Sequence, residues 1–341
     1  MYTFCTYFDV NYLLRGLALH ASLRRHAAPF RLYVLCLDDA AFTALSGLAL
    51  PEIVPVPLAE LEAADPELAA TKASRSIVEY YFTCTAAFIR HLLARHPELE
   101  QITYLDADLY FYGSPAPIYG ELGNGSVMIV EHRFPEHLRH LEVFGKYNVG
   151  LLVFRNNAEG HACLEWWRER CIEWCHDRLE DGRFGDQKYL DDWTTRFNGV
   201  VVLRHKGANL APWNLAGYTI SVRDGRVMVD DVPLIFYHFH KLKAIGSSTY
   251  DAGLSDRRAR MSGAVRSGIY APYVRELRLL MRTVGVGNLG SVRRAHRGGL
   301  LQRIRQMLDT RVLIAVGAAV VLVDLWPVAR GIRGIRRLWK R

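Results

Sequence analysis

Over its first hundred residues the chain switches repeatedly between β-rich apolar runs and segments of helical period. That alternation restricts the available folds more than any other feature. Residues 2–8 form a β-rich run, and residues 13–25 place Leu14, Leu17, Ala18 and Ala21 on one helical face. A second strand-like run, 30–37, ends at Asp38-Asp39; a long helical stretch, 76–95, stops at Pro97; the run 102–105 leads straight into Asp106-Ala107-Asp108. Strands alternating with helices predict an α/β fold: a mixed, mostly parallel sheet flanked by helices. Open sheets of this kind bind ligands at the carboxyl ends of their strands. Asp9, Asp38 and Asp106 each follow a strand-like run and are expected on one rim.

The middle of the chain reads as strands at 126–130 and 148–154 and a helix at 162–179. Two β runs, 220–222 and 227–229, flank Asp224-Gly225, a hairpin signal. A last apolar strand is expected at 234–239. After Gly246 the periodicity weakens, and a domain boundary is placed there: a folded body over 1–245, a basic and partly helical linker over 246–310, and an apolar, basic segment over 311–341. Charge divides at the same point. From Gly246 onward, 19 Lys and Arg stand against 5 Asp and Glu, a net +14, so the first 245 residues carry −6 of the total +8. A tail of that kind suits an anionic surface. No stacking aromatics interleave its arginines, so nucleic acid is not the expected partner. The apolar run 312–323 is short for a span, which needs about 20 residues. With Trp326 and a basic end, it reads as an anchor at a membrane interface, with a true span or a buried oligomer helix as alternatives. Residues 1–10 read as a strand rather than a leader, so a cytoplasmic protein bound peripherally to the inner membrane face is expected, with its six cysteines reduced.

Two aspartates one residue apart, where an apolar strand opens into a loop, can face the same ion. Hard divalent cations such as Mn²⁺ or Mg²⁺ prefer such oxygen ligands. Tyr104-Leu105-Asp106-Ala107-Asp108-Leu109-Tyr110 has that form.

This segment resembles the metal-binding motif of the GT-A glycosyltransferases, and above all of glycosyltransferase family 8. Four other segments follow in that family's order. Asp9-Val10-Asn11-Tyr12 resembles its nucleotide-binding opening, and Asn148-Val149-Gly150 its Asn-x-Gly strand. Gly185-Asp186-Gln187 resembles its Asp-Gln segment, and Tyr237-His238-Phe239-His240 its late histidine segment. The resemblance covers about residues 1–245 and implies a Rossmann-like GT-A fold with a helical basic extension. It implies transfer of a sugar from a nucleotide-diphosphate-sugar donor to a glycan or lipid-linked acceptor, with retention. Asp106 and Asp108 would bind the metal, with His238 or His240 completing the site. Asp9, Asn11 and Asn148 would contact the donor, and Asp186 and Gln187 its sugar. Lys241 stands where the family carries glycine, and the family's Pro-Trp is absent. Lys241 or Lys243 would add charge at the phosphates. The family's arginine ahead of the metal motif has no match, which leaves Lys72 or Arg75 for its phosphate contact.

Other residues carry alternative readings. Cys163, Cys171, Cys175 and His176 could hold zinc, but cysteines beside Trp166, Trp167 and Trp174 fit a core better. His132, His137 and His140 fit the surface better than an acceptor site. Trp213, in a loop with Gly207 and Pro212, could face a sugar or pack in the core. A sugar nucleotidyltransferase is the competing enzyme, though Asp9-Val10-Asn11 occupies the place of its glycine-rich loop. A non-catalytic carbohydrate-binding scaffold at the membrane needs no metal and is the third reading.

Overall fold

The computed structural model describes residues 1–245, 249–254, 257–284, 311–316 and 319–324. The order begins β1 (Tyr2–Phe8), α1 (Leu13–His26), β2 (Phe30–Cys36), α2 (Asp39–Leu48), β3 (Ile53–Pro57), α3 (Leu58–Ala64), α4 (Pro66–Thr71) and α5 (Ile77–Arg95). It continues with β4 (Gln101–Leu105), β5 (Leu109–Phe111), α6 (Ala116–Leu122), β6 (Val127–Glu131), β7 (Tyr147–Arg155), α7 (Ala158–Glu173), α8 (Trp193–Arg196) and β8 (Val200–Leu203). Then come β9 (Ile220–Arg223), β10 (Arg226–Val229), β11 (Val232–Pro233), β12 (Phe236–His238), β13 (Lys243–Ala244), β14 (Thr249–Asp251) and α9 (Ala271–Thr283). Strands β15 (Arg311–Val316) and β16 (Ala319–Asp324) close the described chain.

The main sheet has the order β3-β2-β1-β4-β7-β6-β8. Every pairing is parallel except those of β7, which runs against both β4 and β6. The expected α/β class with a mostly parallel sheet is therefore the observed one. Its central strands are buried on both faces. Along β2, Leu32, Val34 and Cys36 join the core beneath α1 and α2, while Tyr33 and Leu35 join the core beneath α5 and α7. Such strands read as continuous apolar runs, as this one does.

Local chemistry sets the helix ends. Ser76 and Glu79 form a reciprocal capping box at the start of α5. Asn157 accepts the Gly160 N–H and starts α7 four residues before the expected position; Trp174 is extended and ends it before the expected 179. Strand β3 escaped the sequence reading because Pro55 and Pro57 lie within it. It occupies the sheet edge, where missing N–H donors are tolerated.

The expected hairpin closes at Asp224-Gly225, with Arg223 opposite Arg226. The expected strand 234–239 shortens to Phe236–His238 and pairs with β5, not with the main sheet. Residues 249–284 add a third core. Tyr250, Ile269, Tyr270 and Tyr273 pack with Tyr110, Tyr237 and Phe239, and Arg25 of α1 pairs with Glu276 of α9 at 2.9 Å. In the apolar run 312–323 the backbone forms β15 and β16, antiparallel to each other, with β15 alongside β14. Its many β-branched residues suit strands. Among the described residues no helix is long and apolar enough to cross a membrane. Most of the expected linker, 285–310, and the basic end with Trp326 lie outside the described residues.

One buried ion pair ties α4 to α7. Arg168 donates to both Asp65 oxygens, from Nε at 2.7 Å and Nη2 at 2.5 Å, and both side chains are at least nine-tenths buried. Asp65→Ala removes both of those bonds and the cap on the Leu68 N–H, and leaves the guanidinium with Glu67 at 2.8 Å and Glu165 at 3.5 Å. The expected loss is about 1.5–3 kcal/mol of unfolding free energy, read from urea denaturation; a loss below 0.5 kcal/mol contradicts this account.

Candidate functional site

Strands β1, β2 and β4 are parallel neighbours, so their carboxyl ends share one edge. Asp9 leaves β1 there and accepts the N–H groups of Asn11 and Tyr12 at 3.0 and 3.2 Å, while the Asn11 amide donates to its other oxygen at 2.9 Å. Asp38 accepts the Val10 N–H at 3.2 Å and the Ala41 N–H at 2.7 Å, clamping this turn to α2. Asp106 follows β4, and its N–H bonds the Gly150 carbonyl of β7 at 2.9 Å. The three aspartates expected on one rim are there.

The chain then turns, with the Leu109 N–H on the Asp106 carbonyl at 3.1 Å, and enters β5. Pairing of β5 with β12 sets His238 opposite Leu109. That register carries His238 Nε2 to 3.0 Å from Asp108 Oδ1 and 3.5 Å from Asp106 Oδ2. One ligand atom from each of Asp106, Asp108 and His238 lies within 4.8 Å of the others; among the described residues this group alone has metal-binding spacing. His238, rather than His240, reaches both carboxylates. His240 packs its ring on Trp213, at 5.5 Å.

The surroundings fit a divalent cation. Two carboxylates and an imidazole are a donor set suited to Mn²⁺ or Mg²⁺. Gly150 makes room for the ring: a Cβ there would lie 2.6 Å from Asn148 Oδ1 and 2.9 Å from His238 Cε1 and Nδ1. Trp213 is buried, with its ring edge-on to His238 at 5.0 Å, and its indole N–H donates to the His132 carbonyl at 3.0 Å. Its place is packing behind the histidine. Tyr104 donates its hydroxyl to Asp106 Oδ1 at 2.8 Å.

The two carboxylates crowd one point. Burial raises the Asp106 pKa, the His238 imidazole draws it back, and the Asp108 charge raises it further. Burial would also raise Asp108, but His238 and Arg15 outweigh it and hold Asp108 low. Burial alone would lower His238, and the Asp108 and Asp106 charges leave it raised.

Asp186 lies deeper. It accepts from Thr85 Oγ1 at 3.0 Å, its carbonyl accepts the Trp167 indole at 2.8 Å, and burial, with the Asp106 charge adding, pushes it up to about 7. Thr85 also reaches the Tyr7 hydroxyl at 3.4 Å, and the Tyr7 and Tyr104 rings lie 5.7 Å apart, so hydroxyls line the space between the two carboxylates. Gln187 accepts from Asn148 at 3.4 Å and donates to the Phe144 carbonyl at 3.0 Å. Asn148 and Gln187 are therefore together, beside the strand that carries Gly150.

Four expected phosphate cations fall into two groups. Lys72 pairs with Glu62 at 2.7 Å, and Arg75 with His176 at 2.8 Å; neither contacts the carboxylate pair. Lys241, on the loop after His238, and Lys243, which opens β13, are exposed. Lys241 has a left-handed backbone, with φ of +60°, a conformation that glycine adopts most freely. The residue missed from sequence is Arg15, whose Nη1 lies 3.7 Å from Asp108 Oδ2. Its signal was available: a cation in the first turn of α1 opposes the helix dipole, an unfavourable place without a nearby anion. Cys163, Cys171 and Cys175 are buried in the core, and His176 bonds Glu79 and Arg75. His137 and His140 are exposed; His132 is buried against Trp213.

Fold and site together define an α/β protein that gathers two carboxylates, an imidazole and a guanidinium at the carboxyl rim of its sheet. No family model matches the chain. It belongs to the same family as two uncharacterized Bacillus subtilis (strain 168) proteins. YfnD is 32% identical over 278 residues, 81% of this chain and 88% of YfnD. YfnF is 35% identical over 244 residues, 69% of this chain and 80% of YfnF. Among solved structures, the chain is similar to mouse xyloside xylosyltransferase 1 in its apo form, with 15% identity, 70% of this chain and 98% of that chain covered, and a TM-score of 0.48. It is also similar to galactosyltransferase LgtC in complex with donor and acceptor sugar analogs, with 16% identity, 70% and 87% covered, and a TM-score of 0.43.

Two outcomes follow from the geometry. Gly150→Ala overpacks the ring of His238; the expected cost is about 1–3 kcal/mol, with the His238 signal displaced in spectra of ¹³C-labelled histidine. An unmoved signal contradicts the packing. Asp186 binds its proton more tightly folded than unfolded, so its contribution to stability declines as pH rises from the ordinary carboxylate range through about 7. Asp186→Asn removes that dependence. Its melting temperature relative to the natural protein should rise between pH 5 and pH 8; a difference constant with pH places the carboxyl in a wetter setting.

Proposed function

We propose that the chain is a metal-dependent glycosyltransferase, moving a sugar from a nucleotide-diphosphate-sugar donor to a glycan or lipid-linked acceptor. The observation that carries this reading is the convergence of Asp106, Asp108 and His238 at the carboxyl rim of a mostly parallel sheet. The ordered resemblance of five segments to glycosyltransferase family 8 supports it and extends it to transfer with retention.

Mn²⁺ or Mg²⁺ bound there supplies Lewis-acid stabilisation of the departing diphosphate. Asp106 is steadied for that ion by the Tyr104 hydroxyl, and His238 by Trp213 and the missing side chain at Gly150. Asp9 and Asn11, locked to each other at the end of β1, offer polar atoms to the base or ribose. Asn148, Gln187 and Asp186 form the sugar side, where Gln187 is fixed by its bond to the Phe144 carbonyl. Lys241 and Lys243 add positive charge on the loop that follows His238. The net +14 beyond residue 245 supports a peripheral place on an anionic inner membrane face, where a lipid-linked acceptor would lie.

Asp106→Asn and Asp108→Asn keep the shape and remove charge from the divalent site. Both should lower donor hydrolysis by orders of magnitude across a panel of nucleotide sugars. They should also abolish the rise in melting temperature that Mn²⁺ gives the natural protein. Without metal, Asp106→Asn should melt no lower than the natural protein, because it relieves repulsion with Asp108, whereas Asp108→Asn should melt lower, because it removes the charge that His238 and Arg15 stabilise. Unimpaired hydrolysis in both variants, or in the natural protein with EDTA, rejects the metal-dependent reaction.

A further inference from the structure

We propose that Arg15 is the cation that receives the diphosphate of the leaving nucleotide, an inference that rests on the glycosyltransferase reading. Its guanidinium joins three segments of the site. Nη2 donates to the Leu242 carbonyl at 2.5 Å, in the loop after His238. The group lies over the Tyr12 ring, 4.3 Å from its centroid, beside the Asp9–Asn11 turn. Nη1 stands 3.7 Å from Asp108 Oδ2. A charge-assisted hydrogen bond would be about 2.7–2.9 Å, so Asp108 attracts the group without capturing it. Arginine carries its donors in a fixed planar fork, matched to phosphate oxygens. Here one edge is anchored, and the side chain keeps 21% of its surface open to solvent.

Charge balance at the site calls for such a group. Asp106 and Asp108 together cancel a divalent ion, while a nucleoside diphosphate leaves with roughly three negative charges. The ion alone therefore leaves the product unneutralised. Lys72 and Arg75 are committed to Glu62 and to His176 with the Ile172 and Glu173 carbonyls. Lys241 and Lys243 are exposed, on the loop after His238 and at the start of β13. Arg15 is the cation already beside the metal ligands. Its place in the first turn of α1, against the helix dipole, is explained when an anion binds in front of it.

The test compares ligands that differ by one phosphate. Affinities for UDP, GDP, ADP, CDP and dTDP, and for the matching monophosphates, are measured by calorimetry with Mn²⁺ present, for the natural protein, Arg15→Met and Arg15→Lys. Melting curves confirm that each variant is folded. For the diphosphate the natural protein binds best, Arg15→Met should weaken binding about 10- to 100-fold, while the monophosphate changes by less than threefold. Arg15→Lys, which keeps the charge but loses the fork, should fall between. Equal losses for diphosphate and monophosphate make Arg15 a structural strut and overturn the proposal, as does an unchanged diphosphate affinity. If Arg15→Met does not fold, the Arg15→Lys comparison decides by the same criterion. If the natural protein binds none of the diphosphates with Mn²⁺, the glycosyltransferase reading itself fails and this inference with it.

Discussion

The site depends on one short antiparallel pairing, β5 with β12. It joins Leu109–Phe111 to Phe236–His238 across more than a hundred residues of chain. In register, His238 meets Leu109, and the Phe239 N–H continues the ladder to the Asp108 carbonyl at 3.0 Å. Backbone bonds thus fix the histidine against both aspartates, and its side chain need only adopt one rotamer. A shift of one residue would turn His238 to the opposite face and bring a phenylalanine or tyrosine toward the carboxylates. Phe111 and Phe236, with ring centroids 5.3 Å apart, help hold the register through cross-strand packing.

That pairing also concentrates unfavourable electrostatics. Two carboxylates converge on one point, and Asp108 is almost wholly removed from water. Such a cluster costs stability unless opposite charge or hydrogen bonds compensate. Here Tyr104, His238 and Arg15 each do part of it, from β4, β12 and α1 respectively. None of them completes it: His238 Nδ1 is buried without a partner, and the Arg15 contact is long. A protein selected for stability alone would place apolar residues here. In the proposed reading, a cation relieves the repulsion between the two carboxylates, and that cation together with Arg15 then attracts an anionic ligand.

Local pattern made the framework legible and long-range register did not. Asp106-Ala107-Asp108 could be read because an apolar strand ending in two carboxylates is a local signal. The same holds for Asp9 and Asp38, whose common rim follows from parallel strands. The choice between His238 and His240 could not be read, because it rests on where β12 pairs with β5. Arg15 is not legible from the apolar face of its helix, Leu14, Leu17 and Ala18; its signal is a cation at the helix's positive end. Sequence position alone points Lys72 and Arg75 toward the phosphate, whereas tertiary contacts pair them with Glu62 and His176. Strand β3 was hidden by two prolines that only an edge position permits.

The described residues after Gly246 show why weak periodicity is a poor guide to importance. The loop after β12, which carries Lys241 and Leu242, has little regular structure, and Lys241 holds a left-handed backbone that lysine disfavours. Such a loop keeps one shape only if its surroundings over-determine it. Tyr273 of α9 stacks on Phe239, with ring centroids 3.7 Å apart and planes 11° from parallel, and the Tyr237 and Tyr270 hydroxyls share a hydrogen bond at 2.8 Å. Both aromatic anchors flank His238 in sequence. The α9 helix is in turn tied to α1 through Glu276 and Arg25, and α1 carries Arg15. A closed circuit therefore runs from Arg15 through α1 and α9 to Phe239, and from the Leu242 carbonyl back to Arg15. A segment of weak pattern thus braces the guanidinium and the imidazole against the same aspartate, Asp108.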